Sequence, residues 1–126
     1  MSETTLWTNS APSSDFAAQD VTLSDNINNY KYIKITAILN NGGWSNVVSS
    51  HTIEVSEFVK SLSNTSGYIN AITGRHLENS IIYYVRYAQY KGNTTVNFGS
   101  CIMVTGTSSA AARNQAMIPT QIVGLK

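Results

Sequence analysis

Ile81-Ile82-Tyr83-Tyr84-Val85-Arg86-Tyr87-Ala88-Gln89-Tyr90 constrains this chain more than any other stretch. It is β-branched or aromatic almost throughout, a composition that suits a pleated, half-buried surface and disfavours a helix. In a strand, alternate side chains face opposite ways. Ile81, Tyr83, Val85 and Tyr87 would share one face, and Ile82, Tyr84, Arg86, Ala88 and Tyr90 the other. Arg86 is the only charge in the run, so its face is expected to meet solvent or a partner. In a monomer the face of Tyr84, Arg86 and Tyr90 should be covered by a second sheet; in an oligomer its far end would line the contact between subunits.

The flanking sequence is organised in the same way. Ile33, Ile35, Ala37 and Leu39 alternate with Tyr32, Lys34, Thr36 and Ile38, which predicts a strand over Tyr30 to Leu39 with a clean inner face. Phe16 to Leu23 reads as a strand with Phe16 and Ala18, then Val21 and Leu23, inward; the change of parity hints at a bulge. Val47 to Val55 continues as strand, with His51, Ile53 and Val55 on one face. Ser56 could cap a helical turn that packs Phe58, Val59 and Leu62, although an irregular strand end fits nearly as well. Short strands are expected over Tyr68 to Thr73, Thr94 to Phe98, Ser100 to Val104 and Thr120 to Leu125. Between them lie turn signals: Asp25-Asn26-Ile27-Asn28-Asn29, Asn40-Asn41-Gly42-Gly43, Ser63-Asn64-Thr65-Ser66-Gly67 and Lys91-Gly92-Asn93. The stretches Gly74 to Ser80 and Thr105 to Gln115 read as loops, the second because its Ala-rich part has no apolar stripe to bury.

About eight short strands at regular spacing point to an all-β fold, a single antiparallel β-sandwich of jelly-roll type covering residues 1–126. At 126 residues and 13.7 kDa the chain suits one domain, and it needs no disulfide to fold. Its one cysteine, Cys101, is expected as a small buried apolar residue.

Charge narrows the function classes. Charged residues are 12% of the chain and the net charge is +1. The eight Lys and Arg are scattered singly, whereas nucleic-acid binding needs clustered cations. No apolar stretch is long enough to span a membrane as a helix, and the amino terminus lacks the pattern of a secretory leader. Ser, Thr and Asn make up roughly a third of the residues, well above the globular norm, which is more typical of extracellular or virion-surface β-proteins.

The catalytic inventory is thin. His51 lies beside Ser50 and Thr52, but neighbours on a strand face apart, so adjacency makes no triad. Arg75, His76 and Glu78 form the most site-like polar group, in a loop where an ordinary solvated pair is also expected. One cysteine and two distant histidines give no zinc spacing, and there is no calcium loop or phosphate loop. No cofactor, metal or enzymatic role is expected. Recognition through aromatic rings remains: Trp7, Trp44, Tyr32, Tyr84 and Tyr90 could stack on sugars or fill an interface. Trp44, next to two glycines, and Tyr32, with Arg75 and His76, are the candidate ligand contacts.

Leu6-Trp7-Thr8-Asn9-Ser10-Ala11-Pro12-Ser13-Ser14-Asp15-Phe16-Ala17-Ala18-Gln19-Asp20-Val21-Thr22-Leu23, followed by Asn29-Tyr30-Lys31-Tyr32-Ile33-Lys34-Ile35, resembles a small β-domain of bacteriophage tail-fibre and tail-spike proteins, common near their carboxyl ends. The ending Ile118-Pro119-Thr120-Gln121-Ile122-Val123-Gly124-Leu125-Lys126 is similar to that family's close, and Ile82 to Tyr87 and Asn97-Phe98-Gly99 also fit. These motifs mark a fold and carry no binding residue. The resemblance implies a non-enzymatic virion protein, made in the bacterial cytoplasm, homotrimeric, and exposed at the particle surface beside a tail-fibre shaft or capsid. Family members usually follow a long shaft or anchor, whereas Met1 here is five residues from Leu6. The expectation is therefore either an excised domain or a complete small protein. Host attachment by glycan recognition is the leading expectation. A capsid decoration or head-fibre protein and a cellular carbohydrate-binding module are the alternatives.

Overall fold

The aromatic run at 81–90 is two strands rather than one. The computed structural model describes residues 2–39, 47–62, 69–70, 74–77, 80–105 and 109–126. Within them the chain runs β1 (Glu3–Thr8), β2 (Gln19–Thr22), β3 (Tyr32–Leu39), β4 (Val47–Glu54), α1 (Val55–Phe58), β5 (Ile69–Asn70), β6 (Gly74–Leu77), β7 (Ser80–Val85), β8 (Tyr87–Gly92), β9 (Thr95–Phe98), β10 (Ile102–Thr105), β11 (Ser109–Ala112) and β12 (Ile118–Leu125). A 3-10 turn at Ile27–Asn29 leads into β3, and another at Val59–Leu62 follows α1.

The strands form three four-stranded antiparallel sheets, in the orders β1-β12-β3-β4, β2-β9-β8-β5 and β11-β10-β7-β6. The fold is thus all-β and sandwich-like, as the spacing of strand and turn signals predicts. The first sheet makes one layer. Its inner residues Leu6, Ile33, Ile35, Ile118 and Ile122 pack in one core with Val21, Ala88, Tyr90, Val96 and Phe98 of the second sheet. A second, smaller core joins Ala37 and Leu39, farther along β3, to Tyr84 and Met103 of the third sheet, with Cys101, Ala116 and Met117. The second and third sheets therefore lie over successive parts of β3. The chain passes between them at Arg86, and again between β9 and β10 at Gly99 to Cys101.

β3 carries out the alternation its sequence encodes, with Ile33, Ile35, Ala37 and Leu39 buried and Tyr32, Lys34, Thr36 and Ile38 half-buried on the other face. β12 is central, paired with both β1 and β3. Its Pro119 cannot donate to a ladder, and the register shifts between Pro119 and Gln121. The Asx-rich turn folds as a 3-10 corner: Asn26 Oδ1 accepts from Asn28 N–H, and Tyr30 O–H donates to Asp25 Oδ2 at 2.8 Å. Asn93 ties this corner to the β8–β9 turn, its carbonyl accepting from Ile27 N–H and its side chain from Tyr90 O–H and Asn28.

Several expectations are corrected. In the region read as a strand from Phe16, only Gln19–Thr22 is strand; Phe16, Val21 and Leu23 are buried, while Ala18 is exposed. The helical turn exists, but Glu54 rather than Ser56 occupies its cap position and makes no capping bond. Tertiary burial of Val55 and Phe58 sets it instead. Gly74–Leu77 and Ser109–Ala112 are strands and not loops, because each borrows a neighbouring ladder, β7 and β10 respectively. Of the strand expected over Tyr68 to Thr73, only Ile69–Asn70 lies within the described residues, as β5.

The face of the central run that carries its one charge is covered by the first sheet instead of meeting solvent or a partner. Along β7 and β8 the inward residues are Tyr84 (1% exposed), Arg86 (2%), Ala88 and Tyr90 (8%), while Val85, Tyr87 and Gln89 are half-buried. Arg86 faces inward because it crosses from one sheet to the next, where chain carbonyls converge. The side chains of Tyr84, Arg86 and Tyr90 lie inside the chain and offer almost no surface to another subunit.

Candidate functional site

The Arg86 guanidinium is the polar centre of the molecule. Nε donates to Met117 O at 2.9 Å and one terminal nitrogen to Gly99 O at 2.8 Å. The other terminal nitrogen reaches Ala116 O at 3.2 Å and Asn114 O at 3.4 Å. Its Cζ lies 5.3 Å from the Phe16 ring centroid, within cation–π range. Among the described residues no carboxylate pairs with it. Carbonyl dipoles and an aromatic face replace a counter-ion, and burial pulls the guanidinium below its ordinary pKa. One side chain thereby joins three crossings: its own, the β9–β10 crossing at Gly99, and the segment between β11 and β12. That segment contains Met117, with φ of 48° and thus in the left-handed region. A non-glycine residue there costs about 1–3 kcal/mol, which the Arg86 bond to its carbonyl helps to hold.

The same segment supports a cleft. Asn9 follows β1 and donates from its backbone N–H to Thr120 O and from Nδ2 to Pro119 O, both at 2.9 Å. Its Oδ1 accepts from Ala11 N–H at 2.8 Å, starting the turn that Pro12 and Ser13 continue and that Ser14 N–H closes on Ala11 O. Phe16 N–H donates to Asn114 O at 2.9 Å. The loop from 9 to 16 is thus pinned at both ends to the segment that Arg86 holds.

Between this loop and the end of β1 lies a cleft of about 270 Å3, lined by Trp7, Ser14, Asp15, Phe16 and Gln19 together with the turn of residues 8–11. Trp7 is half-buried and its ring is fixed from two sides: Phe16 meets it edge-on at 6.0 Å and Phe98 is tilted against it at 5.8 Å. Phe16 and Phe98 are themselves edge-to-face at 5.7 Å. The indole is a rigid platform whose N–H has no acceptor among the described residues. The polar groups beside it are partly spent. Asn9 is committed to the loop, and Gln19 Nε2 donates to Ala17 O at 3.0 Å, leaving Oε1 as an acceptor. Asp15 makes no ion pair or hydrogen bond among the described residues. A second cleft of about 260 Å3, between Tyr30, Lys31, Glu54 and Ser56, has no such platform, because Tyr30 is buried beneath Gly124.

The candidate contacts from sequence do not assemble. Trp44 and Glu78 lie outside the described residues. Tyr32 sits half-buried on the outer face of β3, with Lys31 Nζ 5.6 Å from its ring. Arg75 and His76 are consecutive positions of β6, opposite Ile82 and Ile81, in a different sheet from Tyr32. Among the described residues, Trp7 is the ring weighed in sequence that the fold places over a described cleft. Its partners Asp15 and Gln19 gave no signal, since they come from a stretch whose composition reads as plain loop and strand.

No cluster of metal-ligating side chains occurs among the described residues. Cys101 is a free, fully buried thiol, as expected, lying just before β10; burial pushes it up to about 11, against the pull of the nearby Arg86 and Arg113. Comparison with known protein families and with curated proteins returns no match.

Proposed function

We propose that this protein is a non-enzymatic recognition module of a bacteriophage virion surface, which binds host glycan through the Trp7 cleft. The observation that carries the reading is the Trp7 platform, locked by Phe16 and Phe98 beside acceptors that the fold leaves unspent. A ring held in place before binding loses little freedom on meeting a sugar face, which is how a small, shallow site gains affinity. The phage assignment rests on the sequence resemblance of the two ends of the chain. The experiment is adsorption competition: excess purified protein should slow phage adsorption to host cells, and the Trp7→Phe variant should compete less well. Protein that neither binds host cells nor alters adsorption removes the attachment role.

A capsid decoration or head-fibre role is the second reading, favoured by one edge of the first sheet. β4 is eight residues long and pairs with β3 without a register shift. It carries no charge before Glu54 and exposes Val48 at 62%. An edge of this kind can add a strand from a neighbour. It is also where contacts between copies in a homotrimer would go, in place of Tyr84, Arg86 and Tyr90. Antibody labelling of intact particles separates the two roles, with signal at the tail tip for attachment and over the head for decoration.

A further inference from the structure

We propose that the Trp7 cleft selects its sugar by charge, accepting a single neutral or amine-bearing pyranose ring and rejecting acidic sugars. The inference rests on the reading of the cleft as a glycan site and adds what that site prefers.

Size sets the first limit. At about 270 Å3 the cleft falls below the roughly 300–1,000 Å3 of sites that enclose drug-sized ligands, so one ring fits and a chain does not. The second limit is hydrogen-bond polarity. Asn9, which could have served as both donor and acceptor, spends Oδ1 and Nδ2 on Ala11 and Pro119. Gln19 Nε2 gives one of its two N–H donors to Ala17 O, and its Oε1 accepts from none of the described residues. The Asp15 carboxylate can only accept. Beside the Trp7 ring, the donors of the cleft are neutral, the indole N–H and the hydroxyls of Thr8, Ser10 and Ser14, while Asp15 and Gln19 Oε1 supply pure acceptors. A ligand that satisfies them must bring donors, which hydroxyl and ammonium groups do and a carboxylate or phosphate does not.

Charge acts in the same direction. Asp15 is the only charged side chain lining the cleft, and it has no cationic partner among the described residues. Lys91 is drawn to Asp20 at 3.9 Å, and Arg86 lies against the Phe16 ring with its donors directed at the carbonyls of 99, 114, 116 and 117. It cannot reach across Phe16 to bond a ligand anion. An acidic sugar on Trp7 would meet the Asp15 charge with no cation among the lining residues to offset it. A 2-amino sugar would find an ion-pair partner.

The test follows the Trp7 indole N–H resonance during titration with glucose, galactose and mannose, their 2-amino-2-deoxy forms and their uronates, all at one ionic strength. Amino sugars should bind most tightly and uronates least, with about a fivefold step for each change of charge, the size of one exposed charge–charge contact in water. Asp15→Asn should collapse that spread, so that amino sugars, neutral sugars and uronates bind alike; Asp15 is exposed, so the change leaves the core untouched. Uronates that bind as well as neutral sugars, or a spread that persists in Asp15→Asn, overturn the charge selection and leave the glycan reading standing. Failure of every sugar to shift the Trp7 resonance overturns both.

Discussion

At the scale of single residues, Arg86 decides more than any other side chain. Removing it strands the buried carbonyls of Gly99, Ala116 and Met117, while Asn114 O keeps the Phe16 N–H, so Arg86→Ala should cost roughly 3–5 kcal/mol in urea unfolding. A domain of this size has about 5–15 kcal/mol in all. Arg86→Lys should recover little of that loss, because a point charge cannot span carbonyls that a planar fork reaches together. Two groups whose pKa the fold shifts make stability depend on pH. Tyr30 O–H above all, then Asn26 N–H, holds the Asp25 carboxyl below its ordinary 3.8. The folded state thus binds that proton less readily than the unfolded chain, and stability is lost as pH falls through the folded value. Asp25→Asn should flatten this acid limb. Cys101 works at the other end: between 9.0 and about 11 the unfolded chain releases the thiol proton while the folded one keeps it, so stability declines across that window. The difference between wild type and Cys101→Ala in urea midpoints measured from pH 8 to 11 isolates this contribution.

At the scale of elements, two glycines allow rings to lie flat against the backbone, at Gly99 just after β9 and at Gly124 in β12. A Cβ at Gly99 would run into the Tyr87 ring, and one at Gly124 would come within 2.6 Å of the Tyr30 ring. Each Gly→Ala change should cost about 1–3 kcal/mol by overpacking. Gly99→Ala should be nearly harmless in a Tyr87→Ala background, and a double-mutant cycle of unfolding free energies measures that coupling. Gly124→Ala has no easy escape, since Tyr30 is buried and its hydroxyl is fixed by Asp25. Elements also differ in how openly the sequence declares them. β3 is plain because period-two alternation and β-branched content agree along its length. β11, Ser-Ala-Ala-Ala, has neither, and it is a strand because β10 supplies a ladder beside it. The continuous apolar run at 81–90 hides the break at Arg86, since a strand that leaves one sheet for another keeps the composition of both.

At the scale of the molecule, the three sheets leave β4 as the long regular edge. The other outer strands are shorter or, in β1, bulged between Thr5 and Trp7. If copies associate through β4, Ser50→Lys on its exposed face together with Val48→Lys should shift the sedimenting mass toward 13.7 kDa without changing the unfolding midpoint by much. A protein that already sediments at that mass at micromolar concentration is a monomer, and the edge then serves a different neighbour or none.

The sequence by itself determined the all-β class, the inner face of β3, the Asx corner before it and the burial of Cys101, because each follows from local composition, turn chemistry or a period of two. It also brought Trp7 forward as an amphipathic ring. Only the tertiary structure decided that Arg86 faces inward, that Met117 can hold a left-handed backbone, and that Asp15 and Gln19 stand beside Trp7. Those outcomes depend on where distant carbonyls and rings converge, and no local pattern in the chain records that convergence.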